Sequence, residues 1–353
     1  MAPLSETDRM YMKRCLQLAS YGGGYVAPNP MVGAVLVCED KIIGEGFHRS
    51  YGKAHAEPEA IASVADKSLL KKATLYVNLE PCAHQGKTPP CARLIADLGI
   101  ARVVVGCLDP NPKVCGRGME MLRAAGVEVE LGILEDECRE LNKRFFTFQT
   151  CKRPYITLKW AQTKDGFIDR KRSNATEKPL LISNRLTQTI THKVRSQNQA
   201  ILVGANTALL DNPKLTLRFW SGKNPLRLSI DREGRIPENY HLKDGEIETL
   251  IFTEQQRENR NKLRYLKTDL STEGIEQLLS ALYQENVHSV LVEGGTQILN
   301  SFLRKNCWDE VLVEISPIRI GEGVAAPPIP AGNPFRNILR GHECLLFRKQ
   351  PQP

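Results

Sequence analysis

The sequence predicts two α/β domains in succession: a three-layer α/β/α domain on a mixed sheet, then a second domain with an α/β core of its own. Three observations carry this. The chain has 353 residues, more than one ordinary core organises. Short runs of β-branched and apolar residues alternate with helical stretches, as in strands joined by helices. The alternation starts afresh after Cys151-Lys-Arg-Pro154, which sets the boundary near residue 150, with domains 1–150 and 151–353.

Taken in order, residues 7–20 carry apolar positions at helical spacing and run into the turn Tyr21-Gly-Gly-Gly-Tyr25. VGAVLVC (32–38) and KIIGEGF (41–47) flank Glu39-Asp40 as a hairpin. A helix begins near His55 and tolerates Pro58 in its first turn. Strand ATLYVNL (73–79) follows, then a Pro/Cys loop, helix ARLIADL (92–98) and strand ARVVVGC (101–107). Helix GMEMLRAA (118–125), strand VEVELG (127–132) and a helix over about 135–148 complete the first domain. In the second, YITLKWA (155–161), AILVG (200–204), PLRLSI (225–230), ETLIF (248–252) and SVLVE (289–293) read as core strands. Helices are expected over 183–196, 274–284 and 295–304, and the proline-containing tail from about 322 as an irregular or edge-covering segment.

Composition narrows the function classes without choosing among them. Hydrophobic residues at 41% and charged residues at 25% are those of a water-soluble globular protein. No apolar run is long enough to cross a bilayer, and MAPLSETDRM lacks the basic and apolar regions of a signal peptide, so a cytoplasmic protein is expected, with no membrane partner. The net charge of +8 is spread among acids, which favours a mixed solvated surface or a phosphate-bearing small molecule over nucleic acid. Ten cysteines in so long a chain are too sparse for a secreted disulfide scaffold, and most, such as Cys107, suit the role of small buried residues. A homo-oligomer is left open.

One ordered set stands out: His55-Ala-Glu57, then Pro81-Cys82, then Cys91. An imidazole and two thiolates bind Zn²⁺ well and leave a fourth tetrahedral position for water, whose pKa the metal brings towards neutrality. Glu57 is then placed as proton shuttle from water to a ring nitrogen and a leaving ammonia. Zinc nucleobase deaminases combine His-x-Glu with Pro-Cys-x-x-Cys; here eight residues instead of two separate the cysteines. Singly, these residues would pass for ordinary core or surface positions. A closed structural zinc site with His48 or His84 as fourth ligand is the alternative use of the same set.

Asn29-Pro-Met-Val-Gly33, His55-Ala-Glu57 and Glu80-Pro-Cys82-Ala-His-Gln-Gly-Lys-Thr-Pro-Pro-Cys91 resemble the deaminase half of the bifunctional riboflavin-biosynthesis deaminase/reductases. The eight-residue interval is that family's own, and Asp109-Pro-Asn-Pro112 with Gly116-Arg-Gly118 is similar to its pattern. The resemblance implies a cytidine-deaminase-like fold. It also implies a substrate, 2,5-diamino-6-(5-phosphoribosylamino)pyrimidin-4(3H)-one, deaminated at ring carbon 2, in a pocket lined by Asn29, His48 and the 84–90 loop.

Downstream, Val292-Glu293-Gly294-Gly295 followed by TQILNSFL reads as strand, turn and helix, a geometry that suits a phosphate or a simple connection. No G-x-G-x-x-G fingerprint follows any expected strand, so a dinucleotide site here is of another kind. Lys159-Trp-Ala161-Gln-Thr-Lys-Asp165-Gly166, Gly204-Ala-Asn-Thr207 through Asp211-Asn-Pro213, Leu215 and Arg218, and Val292-Glu293-Gly294-Gly295 resemble the reductase half. That implies a dihydrofolate-reductase-like fold, with NADPH delivering hydride to C1′ of the ring-opened ribose. By this resemblance Ala161, Leu181, Thr207, Asp211, Arg232, Gly295, Thr296, Gln297, Ile298, Leu299, Asn300 and Ser301 contact the cofactor. Lys159, Arg195, Leu215, Arg218 and Glu293 contact the substrate, arginines suiting a sugar phosphate through their planar fork.

The sequence departs from the family at Lys178-Pro-Leu-Leu-Ile-Ser183, where many members carry Ser-Gln-Trp-Ile-Thr-Ser. Pro179 offers no hydroxyl and Leu181 no indole. Two other classes remain: an RNA deaminase with residues 151–353 as its binding module, and a non-enzymatic zinc module on a nucleotide-binding scaffold. The first requires a basic groove with stacking aromatics, yet aromatics are 6% of the chain and form no basic–aromatic run.

Overall fold

In the computed structural model, which describes residues 5–83, 89–111, 114–270 and 274–349, the chain forms two units, Met1–Lys152 and Arg153–Pro353. The first opens on α1 (Glu6–Ser20), capped by Ser5 through a bond from Asp8 N at 3.0 Å. A hairpin of β1 (Gly33–Cys38) and β2 (Lys41–Phe47) follows. Its turn residues Glu39 and Asp40 have φ of 49° and 58°, as a two-residue turn between twisted strands requires. Then come α2 (Ala56–Ser63), β3 (Thr74–Leu79), α3 (Cys91–Asp97), β4 (Arg102–Cys107), α4 (Arg117–Ala124) and β5 (Glu128–Leu131). The unit closes with α5 (Glu135–Leu141) and α6 (Lys143–Cys151).

Five strands form the order β2-β1-β3-β4-β5, with β1 antiparallel to both neighbours and β3, β4 and β5 parallel. Period-two alternation divides the core between two faces. Ala34, Leu36, Leu75, Val77, Val103 and Val105 pack under α2, α3 and α4, while Val35, Val37, Tyr76 and Val104 pack under α1 and α5. The three-layer expectation is met.

The single helix expected over 135–148 is broken. Asn142 separates α5 from α6, and its side chain turns instead to the backbone of Met31, accepting from N at 2.8 Å and donating to O at 2.9 Å. A residue engaged in this way holds the segment that carries Asn29.

The second unit runs β6 (Tyr155–Gln162), β7 (Phe167–Asp169), α7 (Arg185–Ser196), β8 (Ala200–Gly204), α8 (Ala205–Asp211), β9 (Leu226–Ile230), β10 (Thr249–Thr253) and β11 (Leu263–Lys267). It continues with α9 (Gly274–Gln284), β12 (Ser289–Gly294), α10 (Thr296–Arg304), β13 (Glu310–Ile315), β14 (Val324–Ala325), β15 (Phe335–Leu339) and β16 (His342–Arg348). Nine strands take the order β11-β10-β9-β8-β12-β6-β13-β16-β15, parallel from β11 to β13 and antiparallel for the last two. The fold is that of the dihydrofolate-reductase-like domain the resemblance implied.

One expectation is corrected here. The tail is not merely irregular or edge-covering: β16 enters the sheet beside β13, and only β15 lies at the edge. Asp211 ends α8, with Asn212 at φ 39° as its left-handed stop. Strand β13 was hidden because it buries two carboxylates, Glu310 and Glu314, among its apolar residues.

Candidate active site

In the first unit, the close approach of α2 to the hairpin depends on Gly46. A Cβ there would lie 2.3 Å from Ala60 N and 2.7 Å from Ala56 O. That packing sets His55 at the N-cap of α2 and Glu57 in its first turn. Cys82 follows β3, and Cys91 opens α3. The three ligand atoms lie within 4.8 Å of one another. His55 Nδ1 is 3.7 Å from Cys82 Sγ and 3.4 Å from Cys91 Sγ. Tetrahedral zinc with Zn–S of about 2.3 Å and Zn–N of about 2.0–2.1 Å requires S···N separations of about 3.6 Å. The residues fit the metal, with Nδ1 as the imidazole ligand.

The electrostatics favour the same use. The Cys91 thiol and His55, against the cost of burial, hold Cys82 well below the ordinary thiol range, and Cys91 N donates to its sulfur at 3.3 Å. Burial, with the nearby Cys82 charge, pushes the Glu57 carboxyl up to about 7. Its side chain is 3% exposed.

Asn29 and His48 are brought together beside this cluster. His48 Nδ1 donates to Ala54 O at 2.8 Å, and Nε2 accepts from Asn29 Nδ2 at 3.1 Å. The His48 and His55 rings meet edge to face at 5.7 Å. With both ring nitrogens engaged, His48 is not a fourth ligand; among the described residues the metal group has three members. His84 and most of the 84–90 loop lie outside the described residues.

Glu80, quoted only as part of a motif, is buried and accepts from Asp109 N at 3.3 Å, Gly116 N at 3.0 Å, Gly118 N at 2.9 Å and Met119 N at 3.4 Å. It ties the entrance of α4 to the arm bearing Cys82. Gly118 is required there because a Cβ would meet Pro81 O at 2.1 Å.

In the second unit a cleft of about 1430 Å³ opens where β6, β8 and β12 end. Strand order turns outwards from β8 on one side and from β6 on the other, the arrangement that leaves a crevice at strand carboxyl ends. Of the residues singled out for this half, Lys159, Ala161, Leu181, Arg195, Thr207, Asp211, Arg218, Arg232, Glu293, Gly295, Thr296, Gln297, Ile298, Leu299 and Ser301 all line it. Leu215 and Asn300 do not. The Leu215 side chain packs into a small core with Ile201, Val203 and Ala208, and Asn300 lies on α10 away from the lining.

Gly294 has φ 148°, and Gly295 sits where a Cβ would come within 3.1 Å of Thr207 Oγ1. Gly295 caps α10 without a side-chain bond, so the first amides of this helix face the ligand space a diphosphate needs. The cleft therefore fits a dinucleotide without the Rossmann fingerprint.

Arg195 corrects a simple reading of its fork. Nε and Nη2 donate to Glu293 at 2.7 and 2.6 Å, and Nη1 to Thr216 O at 3.1 Å. Its planar face is spent on a carboxylate inside the protein, whereas exposed Arg218 has no ion pair among the described contacts. Asp211 is likewise engaged, by Arg172, which also bonds Asp169 at 2.7 Å and Leu210 O at 3.2 Å. Arg172 was missed because it lies in a stretch with no motif; Arg-x-x in a long polar loop carries no local signal. His192 was missed as one polar residue in a helix, yet its Nδ1 accepts from Arg218 N at 2.9 Å.

A zinc deaminase joined to a nucleotide-dependent reductase defines a class of bifunctional enzyme. Residues 5–107 match the cytidine and deoxycytidylate deaminase zinc-binding region, and residues 154–348 match the RibD C-terminal domain. The riboflavin biosynthesis protein RibD of Aquifex aeolicus is 43% identical over 327 residues, 91% of this chain and 90% of its own length. That of Bacillus amyloliquefaciens is 40% identical over 340 residues, 94% of this chain and 90% of its own. The crystal structure of the diaminohydroxyphosphoribosylaminopyrimidine deaminase/5-amino-6-(5-phosphoribosylamino)uracil reductase of Thermotoga maritima shares 37% identity with a TM-score of 0.84, covering 97% of this chain and 98% of that one. The chain belongs to the RibD family. It is a deaminase and reductase of riboflavin biosynthesis, with zinc and NADPH as its cofactors. Among the described residues no helix is long and apolar enough to cross a membrane.

Proposed function

We propose that the first unit deaminates 2,5-diamino-6-(5-phosphoribosylamino)pyrimidin-4(3H)-one at ring carbon 2, and that the second reduces the ribosyl chain of the resulting uracil to ribityl. The convergence of His55, Cys82 and Cys91 beside buried Glu57 is the observation that carries the reading. Zinc, held by those three residues, supplies the Lewis acidity that makes water a nucleophile near neutral pH. Glu57 takes one proton from the attacking water and passes it to the ring nitrogen, then carries the remaining hydroxyl proton to the amino group, which leaves as ammonia as its bond to ring carbon 2 breaks; its raised affinity for protons suits both transfers. Asn29, fixed by His48, presents an amide to the pyrimidine edge.

In the cleft, NADPH supplies hydride. The amides at the start of α10 meet its diphosphate, with Thr207 beside them, and Arg232 lies farther along the lining. Lys159 and Arg218 bring positive charge to the phosphoribosyl group, while the Arg195–Glu293 pair gives the wall a fixed polar shape. Ultraviolet assay of the purified chain on the diaminopyrimidine phosphate, with and without NADPH, tests both steps. Deamination is expected alone and NADPH oxidation only once deaminated product forms; deamination with no NADPH oxidation would refute the second step.

A further inference from the structure

Among the described contacts, a chain of buried polar groups joins the C-terminal hairpin to the wall of the reductase cleft. Ser183 Oγ donates to Glu314 Oε2 at 2.6 Å, and His342 Nδ1 donates to Oε1 of the same carboxylate at 2.8 Å. Glu314 and His342 are 4% and 7% exposed. They sit on β13 and β16, which pair antiparallel, while Ser183 precedes α7. Buried carboxylate oxygens require donors, and here each oxygen has one. The neighbouring residue is tied to the same hairpin: Asn184 caps α7, and its Nδ2 donates to Leu339 O at 3.3 Å.

This arrangement decides what Ser183 offers. A hydroxyl has one proton and two lone pairs. With the proton committed to Glu314, the oxygen has only acceptor capacity left for a ligand. Ser183 lines the cleft, as do Lys159, Arg195 and Glu293, and Lys159 also shares a small cavity with Glu314. That is the end of the cleft assigned above to the phosphoribosyl substrate, whose ribose hydroxyls are donors. The motif departure at Lys178–Ser183 thus keeps a polar contact point even though Pro179 has none.

We propose that His342 and Glu314 are positioning residues that hold Ser183 as a hydrogen-bond acceptor for a hydroxyl of the sugar-phosphate substrate. This rests on reading the cleft as the reductase site. The same chemistry gives the C-terminal hairpin a role in reduction.

The test is steady-state kinetics of the full-length enzyme with NADPH and the deaminated pyrimidine, in Ser183→Ala, His342→Leu, His342→Asn and the double variant Ser183→Ala/His342→Leu. KM for the pyrimidine should rise about tenfold in Ser183→Ala and in His342→Leu, the scale of one lost hydrogen bond to a charged or oriented group. Both kcat and KM for NADPH should stay within about twofold, since neither the chemistry nor the cofactor contact changes. The double variant should be no worse than either single one, because both break one chain. His342→Asn, whose amide N–H takes the place of Nδ1–H, should restore the wild-type KM. Additive losses in the double variant, failure of His342→Asn to rescue, or an unchanged KM in His342→Leu would overturn the proposal. An unchanged KM for NADPH reports that the second unit of each preparation is folded. A wild-type chain that oxidised no NADPH would fail the reductase reading instead of this one.

Discussion

Replacing Glu293 by Gln should cost stability in one half of the molecule by an amount set by its partner. The Arg195 and Glu293 side chains are 12% and 11% exposed, and two hydrogen bonds join them. Burial pushes the Glu293 carboxyl up, yet the charge and fork of Arg195, with Lys159 behind them, hold it below the usual carboxylate range. Glu293→Gln keeps the shape and removes the charge. Arg195 is then left buried without compensation, a change that costs about 3–5 kcal/mol in comparable pairs. A domain of this size loses about 2–4 °C in Tm per kcal/mol, so the unfolding transition of the second unit should fall by about 6–20 °C. Calorimetry of the full chain reads this, with the transition assigned beforehand by its response to NADPH. Adding Arg195→Met removes the stranded charge and should recover at least half of the loss. A single variant melting within about 2 °C of wild type would refute the reasoning, because the pair would then contribute nothing to folding.

Glu57→Gln should retain zinc, measured by metal analysis, while deamination falls by about 10²–10⁴-fold; undiminished turnover would remove Glu57 from proton transfer. Gly118→Ala forces a Cβ to within 2.1 Å of Pro81 O and must displace the Cys82 arm, so zinc affinity measured by competition with a chelator should fall by about 10–100-fold. Asp8 supplies a pH dependence: burial pushes its carboxyl up, but hydrogen bonds from Arg102, Ser5 and Tyr76 outweigh this and hold it at about 2 against an ordinary 3.8. Its folded pKa is depressed, so its contribution, of order 2 kcal/mol, is fully present above about pH 4 and fades as pH falls through about 2. Asp8→Asn should therefore differ from wild type in urea unfolding at pH 6 and converge with it in acid; a constant difference would refute the linkage.

The metal site was legible because its chemistry resides in residue types that are few and in an order that strands and helices constrain. His55, Cys82 and Cys91 needed only the correct elements around them to converge. The network that steadies them was not legible. Glu80 acts through four backbone amides, and an amide has no residue identity to recognise. In the second unit, Glu293 and Arg195 could be named by resemblance, but nothing in the sequence said that they would satisfy each other. Strand β13 was lost for a related reason: the residues that break its apolar pattern, Glu310 and Glu314, are buried against Arg348 and His342, partners that come more than 25 residues later. Local periodicity cannot see a charge whose partner is distant in sequence.

Buried carboxylates separate into two kinds here, and the difference is informative about catalysis. Glu293 and Glu314 are each met by a cation or by oriented donors on both oxygens. Glu293, held below the usual carboxylate range by Arg195, serves as framework, since removing the partner would expose the full cost of burying its charge. Glu57 is as deeply buried but is shifted the other way, up to about 7, by desolvation and by the thiolate beside it. A carboxyl poised there exchanges protons near neutral pH, which a framework carboxylate does not. The acid–base residue of the first unit is thus distinguished by how little its surroundings do to stabilise its charge.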